Sequence, residues 1–393
     1  MAKSRNHLTR NTHSAFRNAA ASRITHCVLL LACFASLLTA CQAPGAVRPT
    51  VKIGLVAPFE GRYRYVGYDL IYAVRLALRE ANAAGGVGGY SVELVAYDDQ
   101  ADPAMAVEQA RKLAVDPDVV AAIGHFGEKT TAAARSAYVE AGLPLVAPAV
   151  LDPTLTHGEA ETRRVYRLGP AADTVAGALL RRLDRSGYGQ VALVTDGGPL
   201  GVALQQGARR HGLRVGPSVS PQDADWLPQI TGSGSQVVLC DARPMVAGEV
   251  VAALRAAGWG GSVLGGPQLA ASDFGAVAGR AAEGVTFVTP WPFPADAPAA
   301  ADFAAAYRSV SNELPPGPLA APAYEATWVL LEALRRDIAV HGAPTREGMA
   351  TVLPTTERHG VLGSIALDAG HSWTTAPLHW YRINSDGAPE RVP

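Results

Sequence analysis

Short apolar runs alternate along this chain with longer segments whose apolar positions recur at helical spacing. VKIGLVA (51–57) is apolar almost throughout, as a strand must be when both of its faces are covered. Residues 67–84 carry a helical pattern that stops at GGVGG (85–89). SVELVAYDD (91–99) predicts the next strand, and Asp102-Pro103 opens a helix to about Val115 with proline in its first turn. VVAAIG (119–124), a helix over 130–141 and LPLVAP (143–148) repeat the unit. A second series follows, with helices at 171–186, 199–211, 223–230 and 245–257. Its strands fall at 190–195, near 213–219, at 235–240 and at 262–265, and GVTFVTP (284–290) leads out of it. Two long helices (298–311 and 318–338), a shorter one (345–352) and two strand-like tail segments, SIALD (364–368) and PLHWYRI (377–383), complete the chain. Such alternation predicts an α/β fold of parallel sheets with helices on both faces.

The N-terminus follows a different rule. Residues 1–26 hold Lys3, Arg5, Arg10, Arg17 and Arg23 and no acid, and residues 27–38 (CVLLLACFASLL) are almost wholly apolar. Charge, then grease, then small residues before Cys41 is the order of an export signal. Twelve residues rise only ~18 Å as a helix against a hydrocarbon core of ~30 Å, too short for a lasting span. Leu38-Thr39-Ala40-Cys41 resembles the lipobox of bacterial lipoproteins, which implies cleavage after residue 40 and lipid on Cys41. Residues 1–40 are therefore expected to be a signal peptide and 41–50 a tether. The alternative is an ordinary signal peptide with an incidental cysteine.

About 350 residues then remain, enough for two domains. At 48% hydrophobic and 18% charged, with a formal net charge of -1, the chain gives no reason to expect disorder or a nucleic-acid partner. Cys27 and Cys33 leave with the signal, so Cys240 stands alone in the mature body, where no intramolecular disulfide can form. Its apolar neighbours in QVVLCDA (236–242) predict a buried, inert thiol.

Catalytic and cofactor chemistry is not legible. Gly127-Glu128-Lys129-Thr130 has the composition of a phosphate loop but the wrong spacing. GSGS (232–235) is no nucleophile elbow, and His359, His371 and His379 lack zinc spacing. Asp98-Asp99 has no second acid or base placed beside it. No catalytic residue, metal or cofactor is expected.

From Val51 onward the chain resembles type I periplasmic binding proteins, specifically the branched-chain amino-acid-binding (leucine-binding-protein-like) solute receptors of ABC transporters. The resemblance is carried by VKIGLVAPFEG (51–61), AVRLALREANAAGGVGG (73–89), ELVAYDDQADPAMAVEQARKL (93–113) and AAIGHFGEKTTAAARSAYVEAGLPLVAPAVLDPTLT (121–156). RLGP (167–170), VALVTD (191–196), AAEGVTFVTP (281–290) and APAYEATWVLLEAL (322–334) extend it. It implies two doubly wound lobes joined by three crossovers and closing on a small solute. The N-terminal lobe is expected at 51–169 plus 290–362 and the C-terminal lobe at 170–289 plus 363–393. Ligands of open parallel sheets sit beyond the carboxyl ends of the strands, here loops 58–66, 125–130, 148–152, 196–200, 241–244 and 266–269.

The expected ligand-binding positions are Tyr65, Phe126, Glu128, Ala149, Leu151, Leu200, Ala242 and Gln268. In amino-acid-binding members a Ser and backbone N–H groups at the third helix, with a Thr after the next strand, receive the ligand's α-carboxylate, and an acid from the second lobe holds its ammonium. Here those positions are Glu128, Leu151 and Gln268, and two closing tyrosines fall at about Leu200 and Ala242. Glu128 at a helix N-terminus is itself favoured by the dipole and would repel a substrate carboxylate, while Gln268 cannot neutralise an ammonium. A neutral or cationic solute fits better, with Tyr63, Tyr65 and Phe126 as packing surfaces. The expected partners are that solute, an ABC permease and the membrane through the lipid, for a monomer outside the cytoplasm. The alternative is a sensor or regulatory lipoprotein of the cell envelope that uses the same fold without transport.

Overall fold

The computed structural model describes residues 48–393 apart from 159–163, 294, 295 and 297 and the side chains of Arg62, Tyr65 and Pro298. The expected signal peptide and the lipidation site Cys41 lie outside the described residues. The chain opens with β1 (Thr50–Ala57), α1 (Arg64–Ala83), β2 (Ser91–Asp98), α2 (Pro103–Val115), β3 (Val119–Ile123), α3 (Glu128–Glu140), β4 (Leu145–Ala147) and β5 (Val165–Arg167). It continues with α4 (Ala172–Ser186), β6 (Gln190–Thr195), α5 (Pro199–Arg210), β7 (Arg214–Val219), α6 (Trp226–Gly232), β8 (Val237–Asp241), α7 (Pro244–Ala256), β9 (Ser262–Gly265), α8 (Ser272–Ala278) and β10 (Thr286–Thr289). The last part is α9 (Pro298–Arg308), α10 (Ala320–His341), α11 (Arg346–Val352), β11 (Glu357–Gly360), β12 (Gly363–Ala366), β13 (His379–Ile383) and β14 (Pro389–Val392).

The strands make two large sheets. The first has the order β2-β1-β3-β4-β5 and is parallel throughout. The second runs β14-β13-β10-β9-β8-β6-β7, parallel except where β13 lies antiparallel to β10 and to β14. Period-2 alternation feeds a core on each face. In β1, Ile53 and Leu55 join Leu70 and Leu330, whereas Val56 faces Leu113 and Tyr138. In β6, Val191 and Leu193 join Leu179 and Leu204, whereas Ala192 and Val194 join Val251 and Phe274. Each fully buried Leu or Phe contributes roughly 1.5–3 kcal/mol, so burial takes the place of cross-links. Cys240 is a free thiol in one of these cores, and burial pushes its pKa up to about 12.

Helix starts follow local chemistry. The Asp102 side chain accepts from the N–H groups of Ala104 at 2.8 Å and Met105 at 2.9 Å, capping α2. α3 begins at Glu128, two residues earlier than its pattern predicts, because Gly127 supplies the extended cap. Four short elements, β5, α8, β11 and β14, were not expected, being too brief to show a period.

The chain passes between the sheets after β5, after β10 and again in the tail. The last passage comes later than the expected boundary at 362/363. Leu362, Ile365 and Trp373 are buried in the first-lobe core, and β11 pairs with β12 as a separate ribbon. The fully buried Glu325 on α10 accepts from Arg358 Nε at 2.7 Å and from the Val361 N–H. The N–H of Trp373 reaches the Arg167 carbonyl at 3.0 Å. These contacts hold the chain on the first lobe as far as Trp373. Among the described residues no helix is long and apolar enough to cross a membrane.

Candidate functional site

The first-lobe wall begins where β3 ends. At Gly124, φ is +135° and a Cβ would lie 2.3 Å from the Val56 carbonyl oxygen, so only glycine lets the chain turn there beside β1. The turn is held from beneath by a buried relay. His125 Nδ1 lies 2.7 Å from Asp99 Oδ2, and its Nε2 lies 3.1 Å from the Tyr138 hydroxyl. Because a carboxylate only accepts, Nδ1 donates to Asp99, and Nε2 faces the Tyr138 hydroxyl. Thr131 Oγ1 donates to the carbonyls of His125 at 3.0 Å and Gly127 at 2.8 Å. This framework fixes the backbone that carries Phe126 and Glu128.

Glu128 lies in the first turn of α3, yet its carboxylate reaches across to the loop after β4. Oε1 accepts the Leu151 N–H at 2.6 Å and Oε2 accepts the Asp152 N–H at 3.4 Å. Burial pushes this carboxyl up to about 7; the two amides and the Arg167 guanidinium oppose the rise, and Asp152 adds to it. Arg167 is 2% exposed, donates from Nη1 to the Gly169 carbonyl at 3.2 Å, and leaves its Nε unpaired. Lys129 is exposed, and the cation that acts on Glu128 is Arg167. The donors at this end of the cleft, two amides and a guanidinium, would suit an anion, and a side chain of the protein supplies it.

The second-lobe wall has its own internal carboxylate. Asp241, at the end of β8, accepts the Gly201 N–H in the first turn of α5 at 2.7 Å and the Thr195 hydroxyl at 3.3 Å. Burial, then the neighbouring Asp196, pushes Asp241 up to about 6. Asp196 pairs with Arg243, Oδ2 to Nε at 3.3 Å. From there Arg243 crosses the cleft: its guanidinium sits over the Tyr63 ring, 5.9 Å from the centroid, and donates to the Tyr63 hydroxyl. A cavity of about 390 Å³ at this mouth is lined by Glu60, Gly61, Tyr63 and Gln100.

The expected positions fare unequally. Glu128 and Leu151 are in direct contact, and Phe126 and Ala149 are partly buried against the first-lobe core. Leu151 offers only its amide, since its side chain is packed in the core with Val175. Leu200 and Ala242, read as replacements for closing tyrosines, are 1% and 2% exposed and belong to the cores, so neither offers a solute surface. Leu200 packs where it does because Gly266 leaves room: a Cβ there would lie 2.5 Å from Leu200 Cδ2 and 3.1 Å from Gln268 Oε1. That Gln268 oxygen is buried without a hydrogen-bond partner. Tyr65 is carried by α1, and its side chain lies outside the described residues. Sequence reasoning missed Arg167, Asp196, Asp241 and Arg243. The loop 241–244 was expected to face the cleft, but Arg243 has no spacing that separates it from a solvated arginine.

A sequence model of the periplasmic binding protein family matches residues 50–388. The chain is 27% identical over 352 residues to the Leu/Ile/Val-binding protein homolog 2 of Brucella abortus (strain 2308), covering 86% of this chain and 92% of that one. It is 26% identical over 299 residues to the leucine-, isoleucine-, valine-, threonine- and alanine-binding protein of Pseudomonas aeruginosa, covering 73% and 78%. Among solved structures, LivJ of Streptococcus pneumoniae in complex with isoleucine superposes with a TM-score of 0.78 at 23% identity, over 87% of this chain and 99% of that one. A solute-binding protein of R. palustris in complex with benzoate gives 0.74 at 19% identity, over 87% and 95%. With two parallel-sheet lobes, a cleft at their carboxyl ends and a family match over nearly all of the described chain, the protein belongs to the periplasmic binding protein family, whose members are extracytoplasmic solute receptors and not enzymes.

Proposed function

We propose that this receptor takes a small neutral or cationic solute without a free carboxylate and delivers it to an ABC permease by hinge closure, tethered to a membrane through lipid on Cys41. The observation that carries the reading is the Glu128 carboxylate, seated on the Leu151 and Asp152 amides. A solute carboxylate would have to displace it or lie against it, and above pH 7, where Glu128 is ionised, like charges a few ångströms apart repel strongly in a partly desolvated site. The ligands named for related structures, isoleucine and benzoate, both carry a carboxylate, the group whose seat on the Leu151 and Asp152 amides Glu128 takes here. Gln268 supports the same reading from the other lobe. An uncharged amide at this position offers an ammonium no charge to pair with. Arg243 on Tyr63 gives the closed lobes a direct contact across the mouth, and a solute that touches both walls shifts the population toward closure. Lobes of 51–169 plus 290–362 and of 170–289 plus 363–393, with 363–373 moved to the first, serve as the two jaws.

The test is a thermal-shift screen of residues 42–393 against amino acids, amides, polyamines and polyols. A ligand at about 100 times its dissociation constant adds ~2.7 kcal/mol, a shift of several degrees. A response to an amide, amine or polyol is expected. A response to leucine, isoleucine or valine at similar concentrations would overturn the reading. A well-folded melt with no response to any class would favour an envelope sensor over a transporter.

A further inference from the structure

The chain seats its own carboxylate on the first-lobe wall, and across the cleft it seats its own cation. Arg243 lies immediately before α7, where Pro244 holds it extended at φ −57° and ψ 149°. A positive charge at a helix N-terminus opposes the helix dipole, so α7 gains nothing from an arginine there. What receives the charge is a seat made by both lobes. Asp196 Oδ2 accepts from the Arg243 backbone N–H at 3.4 Å and lies 3.3 Å from its Nε. The guanidinium sits over the Tyr63 ring, 5.9 Å from the centroid, and Nη1 donates to the Tyr63 hydroxyl. Arg64, the next residue after Tyr63, is exposed, and the cation on the ring is Arg243.

A carboxylate, an aromatic face and a hydroxyl oxygen together complement a flat guanidinium. Asp241 is buried on the Gly201 amide, so Asp196 is the acid this wall has available. The seat is also loosely filled. The Arg243 side chain is 50% exposed and that of Asp196 22%, and exposed ion pairs and cation–π contacts are weak. Holding a long arginine side chain in one rotamer costs conformational entropy that a small rigid solute does not lose. The mouth cavity of about 390 Å³ beside the ring gives such a solute room, and Glu60 and Gln100 on its lining bring a second carboxylate and an amide.

We propose that the solute of this cleft is a guanidinium compound without a carboxylate, which displaces the Arg243 side chain from Tyr63 and Asp196 and takes its place between the lobes. Tyr63 and Asp196 are then the specificity-determining pair, and Arg243 is a built-in competitor that holds the seat until cargo arrives. A solute in that seat touches both walls, which favours closure. The inference rests on the reading of the cleft as closed to carboxylates, and it narrows neutral or cationic solutes to one kind of cation.

The experiment is an NMR titration of the full chain that follows the methyl resonance of methylguanidinium, with methylammonium, acetamide and isoleucine as the other probes. Parent and Arg243→Ala are compared at constant ionic strength, and Asp196→Asn and Tyr63→Leu are each added to Arg243→Ala. Methylguanidinium is expected to bind the parent with a dissociation constant on the order of 1 mM, and methylammonium about threefold more weakly or worse. Arg243→Ala should tighten methylguanidinium by about 3–5-fold, because its competitor is gone. Either added change should then weaken it by about fivefold. A residue that only braced the fold would not strengthen binding when removed. Unchanged or weaker binding in Arg243→Ala, equal affinity for methylammonium, or a response to acetamide with none to methylguanidinium at tens of millimolar would overturn the guanidinium assignment and leave the wider reading standing. Binding of isoleucine ahead of the other three probes would overturn both.

Discussion

The two walls of the cleft solve one problem in opposite directions. In the second lobe the acid comes from a strand end and ties down a helix: Asp241 holds the Gly201 amide of α5 and the Thr195 hydroxyl. In the first lobe it comes from a helix and ties down a loop: Glu128 holds the amides after β4. Asp241 is 4% exposed and works as part of the core. Glu128 is only partly buried and sits where the resemblance to amino-acid receptors places a carboxylate of the ligand. A backbone donor set does not distinguish a ligand's anion from a side chain's, so one residue at the first turn of α3 decides whether the set remains free for cargo.

The comparison sharpens first through pH. Glu128 rises from an ordinary 4.5 to about 7, so between those values the folded chain keeps a proton that the unfolded chain has lost. Raising pH through that window therefore favours unfolding, by up to ~3 kcal/mol above pH 7. Asp152 and Arg167 face the same carboxyl, and both remain in a Glu128→Gln variant. Asp69 and Asp241 also titrate high, but they are common to parent and variant and cancel in the difference. Urea melts at pH 4.5 and pH 8 should show Glu128→Gln gaining about 3 kcal/mol on the parent across that range. A flat difference would mean that Glu128 is solvated and does not hold the loop.

Asp241 should show the next largest effect. Asp241→Ala leaves the Gly201 amide without its acceptor and should lower stability at pH 8 by about 2 kcal/mol in urea unfolding. A loss below ~0.5 kcal/mol would remove the contrast between a structural acid and a site acid. The smallest stability effect belongs to the contact that joins the walls. Arg243→Ala deletes a half-exposed ion pair with Asp196 and the stacking on Tyr63, costing under ~1 kcal/mol. Its signature is geometric: small-angle scattering should show a larger radius of gyration for the variant, and an unchanged radius would mean that Arg243 does not hold the lobes.

What the sequence revealed divides along the same line. Apolar runs such as 51–57 and 191–194 announce their strands because both faces of each sheet are buried, and the lobes follow from that alternation. Glu128 was also legible, since an acid at a helix start stands out against a Ser expected there. Leu200 and Ala242 misled because aligning a position says nothing about whether a smaller side chain still reaches the cleft; both sank into the cores beneath it. Asp241 and Arg243 stayed hidden because their partners, Gly201 and Tyr63, lie 40 and 180 residues away. β5 hid because three residues carry no period.

The central claim is that Glu128 takes the place of a ligand's carboxylate. Isothermal titration with isoleucine at pH 8, comparing the parent with a chain carrying both Glu128→Ser and Gln268→Glu, tests it most directly. The parent should give no binding heat at millimolar isoleucine. The double variant, with freed amides and a restored charge for the ammonium, should bind at least tenfold more tightly than the parent's limit. Micromolar binding by the parent, weakened in the double variant, would contradict the account.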